Sequence, residues 1–177
     1  VDFAPAGTAP AIAPDDPRVI RMRTFSKGYG LAGARVGYAL AAPALIAAFE
    51  KIRNHFGMTR MAQAGALAAL RDQDWLAHVI AETAAGRDGI ARIARENGLS
   101  TLPSATNFVA VDCGRDGAFA RRVLEGLVAR GVFVRMPGVA PLDRCIRVTA
   151  GRAEDLGHLA RALPGALAAA EEAPAEG

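Results

Sequence analysis

Alternation and helical spacing of the apolar residues divide the chain into short strands and longer helices. In "RVIRMRTF", Ile20 and Met22 alternate with Arg21 and Arg23, the period of a half-buried strand. "ARVGYALA" alternates again, with Val36, Tyr38 and Leu40 on one face and Arg35, Gly37 and Ala39 on the other. "PALIAAFEKIRNHFG" predicts a helix opened by Pro43 and closed by Gly57, with Leu45, Ile46, Phe49, Ile52 and Phe56 on one face. A second helix is expected from Arg60 to Leu70. A third runs from Asp74 to Asn97 with Val79, Ile80, Ile90 and Ile93 inward, although Gly86 and Gly89 weaken it.

"TNFVAVDC" is nearly continuous in apolar residues, which suits a strand of a sheet covered on both faces. "DGAFARRVLEGLVARG" has the strongest helical pattern, with Asp116 as cap, Phe119, Val123, Leu124, Leu127 and Val128 as stripe, and Gly131 as stop. "VFVRMP" and "CIRVTA" predict two more strands, followed by a helix from about Ala153 that Pro164 stops or kinks. This is an α/β order with a break near Asp72–Asp74. Residues 1–73 read as a first domain that begins with a loop over 1–17. Residues 74–170 form a compact α+β lobe, and 171–177 a disordered tail.

The length of 177 residues suffices for one good core or two small lobes. No apolar run is long enough to span a bilayer, and the first residues lack the cationic start and apolar stretch of a signal peptide. A cytoplasmic protein with no membrane partner is expected. The chain opens on Val1 rather than methionine, as a fragment or processed product would. A formal charge of +3 from scattered arginines is a solvated surface and gives no reason to expect nucleic acid. Cys113 and Cys145 lack CxxC spacing and read as reduced, packed thiols. His55, His78 and His158 lack ligand spacing, so no metal is expected.

Lysine usage sharpens the picture. Of 21 basic residues, Lys27 and Lys51 are lysines and the rest arginines. Arginine supplies charge but neither loses its proton nor condenses with an aldehyde, whereas lysine does both. Lys51 suits the C-terminal half of a predicted helix. Lys27 sits in "TFSKGYGLAGARVGY", where Gly28, Gly30 and Gly33 spell G-x-G-x-x-G. A dinucleotide cradle needs those glycines to open a helix, yet a period-2 segment follows them, so that reading fails. A kinase glycine loop fails because neither HRD nor DFG is present. The remaining reading is a turn that presents an amine. Thr24 and Ser26 supply hydroxyls and Arg35 a guanidinium, a set suited to a phosphate tethered to an aldehyde.

On these residues, "TFSKGYGLAGARVGY" resembles the S-K-x-x-G-L-A-G-x-R-x-G signature of fold-type I pyridoxal-phosphate aminotransferases, nearest to the histidinol-phosphate and aromatic aminotransferases. "VDF" resembles the residues after that family's D-E-A-Y strand, and "TNFVAVD", "GVFVRMPG" and "CIRVTAG" resemble its C-terminal strands in order. The resemblance implies the C-terminal part of such a transferase: the remainder of the large-domain mixed sheet plus an α+β small domain. It implies that Lys27 forms a Schiff base with pyridoxal 5'-phosphate and that Ser26, Arg35 and Thr24 hold the cofactor phosphate. Arg147 would bind the substrate carboxylate, with Arg135 and Asn107 as further contacts.

The implied activity is ping-pong transfer between an amino donor (an amino acid or histidinol phosphate) and a 2-oxo acid, in amino-acid biosynthesis, by a homodimer of the full-length enzyme. The aspartate that pairs with the pyridinium nitrogen and the D-E-A-Y tyrosine would lie upstream of Val1. The chain alone is therefore expected to bind the cofactor weakly and to turn over slowly or not at all. The alternatives are a lyase of the same fold, such as a threonine-phosphate decarboxylase, and a non-catalytic truncated module.

Overall fold

The structure, a computed structural model, describes residues 2–11 and 13–172. It divides between Ile80 and Ala81 into two compact units.

In the first unit β1 (Ile20–Thr24) pairs antiparallel with β2 (Gly37–Ala41), placing Ile20 opposite Ala41 and Thr24 opposite Gly37. Two helices follow, α1 (Pro43–Glu50) and α2 (Arg60–Arg71). Thr59 caps α2, its Oγ1 accepting from the Ala62 amide at 3.1 Å. A small core joins Phe25 and Val36 to Ala62 and Ala66, with Tyr29, Leu31, Ala34 and Ala69 packed against it. The helix expected to reach Gly57 ends at Glu50, and Ile52 and Phe56 are 82% and 94% exposed. Asn54 explains the early stop. Its side-chain Oδ1 accepts from the Phe56 amide (3.0 Å) and its carbonyl from the Gly57 amide (3.1 Å), a local turn that competes with helix.

Helix α3 (Gln73–Glu96) runs across the division. Gly86 and Gly89 do not break it, and both face close neighbours, Gly86 a backbone carbonyl and Gly89 the end of a leucine side chain. A Cβ on Gly86 would lie 3.0 Å from the Gly151 carbonyl oxygen, and one on Gly89 2.5 Å from Leu156 Cδ1.

The second unit holds an antiparallel sheet in the order β3 (Ser100–Thr101), β4 (Phe108–Asp112), β5 (Cys145–Thr149), with α4 (Gly117–Ala129) and α5 (Ala153–Glu172). Asp116 caps α4 through the Phe119 amide at 2.8 Å, and Gly131 follows its end at φ 78°. Ile90, Ile93, Val109, Val111, Val123, Leu127, Ile146 and Leu163 form the core.

Three expectations are corrected here. Burial alternates along β4, with Val109 and Val111 buried and Phe108 and Ala110 half-buried, so the strand is not covered equally on both faces. "VFVRMP" contributes one bridge, Arg135 to Arg147, before Pro137 and the left-handed Gly138 end the pairing. Helix α5 continues through Pro164 to Glu172, because Leu159, Leu163, Ala166 and Ala170 are buried on both sides of the proline and their packing outweighs the missing amide. The predicted disorder of 171–177 thus fails at Glu171 and Glu172, while 173–177 lie outside the described residues.

Strand β3 has too few residues to show a pattern and went unanticipated. Cys113 and Cys145 are free and buried. No helix among the described residues is long and apolar enough to cross a membrane.

Candidate functional site

The loop between β1 and β2 is closed by two buried residues. The Phe25 amide donates to the Val36 carbonyl (3.2 Å), and the Phe25 carbonyl accepts from the Leu31 amide (2.9 Å). Phe25 also meets Tyr29 and Tyr38 with ring centroids 4.7 and 5.8 Å away. Because Phe25 and Val36 point inward, their neighbours do not. Thr24, Arg35 and Gly37 are exposed and Ser26 is half-buried.

The two hydroxyls form a pair. Thr24 Oγ1 donates to Ser26 Oγ at 2.9 Å and accepts from the Ser26 amide at 3.1 Å. Lys27 follows and is exposed, and its carbonyl accepts from the Gly30 amide at 2.9 Å, which turns the chain. On the returning arm Arg35 has φ 52°, a left-handed conformation rare for a residue with a side chain. Its Nη1 donates to the Ala32 carbonyl at 2.8 Å. A primary amine, a hydroxyl pair and a guanidinium on one hairpin end can between them engage a carbonyl and a phosphate.

Two supports of this loop were not visible in the sequence. The Asp2 carboxylate pairs with Arg23, the residue before Thr24, and both side chains are largely shielded. Gly28 is buried where its Cβ would lie 3.0 Å from Leu76 Cδ1. The opposite charges of Asp2 and Arg23 were the available signal, but nothing local links residues so far apart in the chain.

The remaining candidates lie in the second unit. Along β5, Ile146 and Val148 are buried and Arg147 is half-buried on the other face. The guanidinium carbon of Arg147 lies 4.9 Å from the centroid of the Phe108 ring. The Arg135 amide donates to the Arg147 carbonyl at 3.2 Å, and the Arg147 amide donates to the Arg135 carbonyl. Residues so paired project from one face, so Arg135 and Arg147 give that face two cations. Asn107, just before β4, is half-buried and accepts from the Ala150 amide through its carbonyl at 2.9 Å. The structure thus groups Thr24, Ser26, Lys27 and Arg35 in one unit, and Asn107, Arg135 and Arg147 in the other. Among the described residues no group of three or more His, Cys, Asp or Glu side chains could hold a metal ion.

The family model described as "Aminotransferase class I and II" matches residues 2–163. The chain is 41% identical over 157 residues to histidinol-phosphate aminotransferase 2 of Ralstonia nicotianae, covering 89% of this chain and 42% of that relative. It superposes with a TM-score of 0.91 and 53% identity on histidinol-phosphate aminotransferase from Sinorhizobium meliloti, solved in complex with pyridoxal-5'-phosphate, covering 94% of this chain and 46% of that one. A putative aminotransferase from Burkholderia pseudomallei matches at TM-score 0.80 and 32% identity, over 93% of this chain and 49% of its own. The chain therefore spans somewhat less than half the length of the relatives it matches.

Proposed function

We propose, from the premise that this chain belongs to the aminotransferase class I and II family, that it carries the cofactor-binding lysine of a pyridoxal-phosphate-dependent aminotransferase acting on histidinol phosphate or a related amino donor. The observation that carries this reading is the polar end of the β1–β2 hairpin. Pyridoxal 5'-phosphate offers an aldehyde and a phosphate dianion, and the loop offers one amine, two hydroxyls 2.9 Å apart and a guanidinium. The chemistry of that donor set fits the group. When bound, the cofactor supplies an electron sink for the substrate Cα.

The chain's own residues do the rest. Lys27 would hold the cofactor by its aldehyde carbon and, once released, its amine would move the proton at the substrate Cα as a general base. Ser26 would donate a hydrogen bond to the phosphate, Thr24 would either orient the Ser26 hydroxyl, as it does here, or turn its own proton to the phosphate, and Arg35 would pair with the anion. Arg147 would bind the carboxylate of the amino-acid or 2-oxo-acid substrate, with Arg135 and Asn107 as further polar contacts to the substrate. A 2-oxo acid then takes the amino group in a second half-reaction, giving ping-pong kinetics. We assign this activity to a homodimer of the natural full-length polypeptide, of which this chain is the lysine-bearing part. The aminotransferase names of the more similar relatives support amino transfer over decarboxylation.

The test uses that full-length polypeptide with histidinol phosphate and 2-oxoglutarate. Lys27→Ala is expected to lower the amino-transfer rate at least about a thousandfold while leaving the far-UV circular dichroism unchanged. A variant retaining a tenth or more of the wild-type rate refutes the role of Lys27, on the scale where about 1.4 kcal/mol of barrier is tenfold in rate. In a parallel assay with threonine phosphate, which carries the α-amino carboxylate a decarboxylase needs, carbon dioxide release without amino exchange points instead to the lyase.

A further inference from the structure

Gly37 opens β2 and lies directly opposite Thr24 in the hairpin register. Its φ is not left-handed, so conformational freedom is not why glycine stands here. The reason is contact: a Cβ at position 37 would lie 2.6 Å from the Arg23 carbonyl oxygen and 3.6 Å from Thr24 Cα. Both neighbours are backbone and cannot swing aside, so any side chain at 37 forces the two strands apart. Glycine inside a strand marks such a close approach of two backbones.

The place of this approach gives it consequence. One arm leads from Arg23 into Thr24, Ser26 and Lys27, and the other reaches Gly37 from Arg35. Thr24 and Ser26 stand on one arm and Arg35 on the other, so the spacing of the arms bears on how far the hydroxyls stand from the backbone that carries the guanidinium. Gly33 makes the contrast. It lies in the same loop without a left-handed φ, and a Cβ there would meet nothing within 4 Å.

We propose that Gly37 is a positioning residue for phosphate. Its bare backbone pinches β1 against β2, so that the hydroxyl pair and the guanidinium grip the phosphate of pyridoxal 5'-phosphate together. This rests on the functional reading above and adds a selectivity to it. Lys27 reaches the aldehyde on a flexible four-carbon stem and tolerates a small displacement of its backbone. A two-armed hydrogen-bonding grip on a compact anion does not. Spreading the arms therefore weakens the hold on the phosphate and spares the reaction of the amine with an aldehyde.

The experiment titrates the full-length polypeptide with pyridoxal 5'-phosphate and, separately, with phosphate-free pyridoxal, following the near-visible absorbance of the lysine-bound cofactor. For Gly37→Ala the affinity for pyridoxal 5'-phosphate is expected to fall at least about tenfold while that for pyridoxal changes less than about twofold. Gly33→Ala is expected to leave both unchanged. Equal loss for the two ligands, or no loss for either, overturns the proposal.

A second measurement does not depend on the folding of Gly37→Ala. In the wild-type background, Thr24→Ala, Arg35→Ala and their double variant form a cycle. Arms held as one unit give losses of phosphate affinity that are non-additive by at least about threefold, whereas additive losses overturn the inference. If the wild-type protein forms no cofactor adduct at all, the functional reading itself falls, an outcome distinct from a Gly37 variant that behaves like wild type.

Discussion

Phe25 and Val36 are buried while Thr24, Arg35 and Gly37 beside them are exposed, and that alternation puts the polar groups on the open side of the hairpin end. That Lys27, Ser26 and Arg35 share one loop was legible in the sequence, because the motif that carries them is contiguous. The Asp2–Arg23 pair and the contact that excludes a side chain at Gly37 were not, since both are made between segments distant in the chain.

The thiols were anticipated as packed, and their burial has a measurable consequence. Burial, first, and the nearby Cys145 and Asp112 raise the Cys113 thiol from its ordinary value near 9 to about 11, against the lowering effects of a backbone hydrogen bond and Arg144. The folded state thus keeps its proton where the unfolded chain has lost it. Stability from this group is whole below pH 9 and is lost as pH rises from 9 through 11, at up to about 1.4 kcal/mol per pH unit. Urea midpoints measured from pH 8 to 11 should fall more steeply for the wild-type chain than for Cys113→Ala, and parallel curves would contradict the assignment.

Strands and helices were legible where pattern and packing agree, as in α2, α4 and β5. The sequence failed where a local bond or a distant contact decides. Asn54 ends α1 through its own turn, although the apolar spacing runs on to Phe56. Buried residues on both sides of Pro164 carry α5 past it.

Glycines in helices show the same rule with opposite signs. A Cβ on Gly65 in α2 would meet nothing within 4 Å, whereas one on Gly86 in α3 would press on the Gly151 carbonyl at 3.0 Å and on Ala150 Cβ at 3.1 Å. Gly65→Ala should therefore stabilise the chain by about 0.5–1 kcal/mol through helix propensity. Gly86→Ala should destabilise it by about 1–3 kcal/mol through overpacking, despite the same gain in propensity. Urea denaturation of both variants checks the pair, and a shift of the same sign in each would contradict the packing argument.

Across the whole molecule, the second unit has an extended core reaching from Ile90 to Ala170, whereas the buried cluster around Phe25 is small. Met22, Ile52, Phe56 and Met61 in the first unit are largely exposed. The α/β class was readable from element order, because strand and helix periods differ. The division into two compact units falls between Ile80 and Ala81, inside the uninterrupted helix α3, where the sequence carries no break.

The distribution of lysine over the chain supplies the sharpest test. Lys27 and Lys51 are both exposed, so accessibility alone favours neither. Preference for one must come from its surroundings: Lys27 follows the Thr24–Ser26 hydroxyl pair in the hairpin loop that also carries Arg35, and Lys51 lies at the end of α1. The natural full-length polypeptide should be incubated with pyridoxal 5'-phosphate at low micromolar concentration, reduced with borohydride, digested and mapped by mass. Saturable cofactor label is expected on the peptide containing Lys27 and little on that containing Lys51. Equal labelling of the two, or label on Lys51 alone, would contradict the assignment of Lys27.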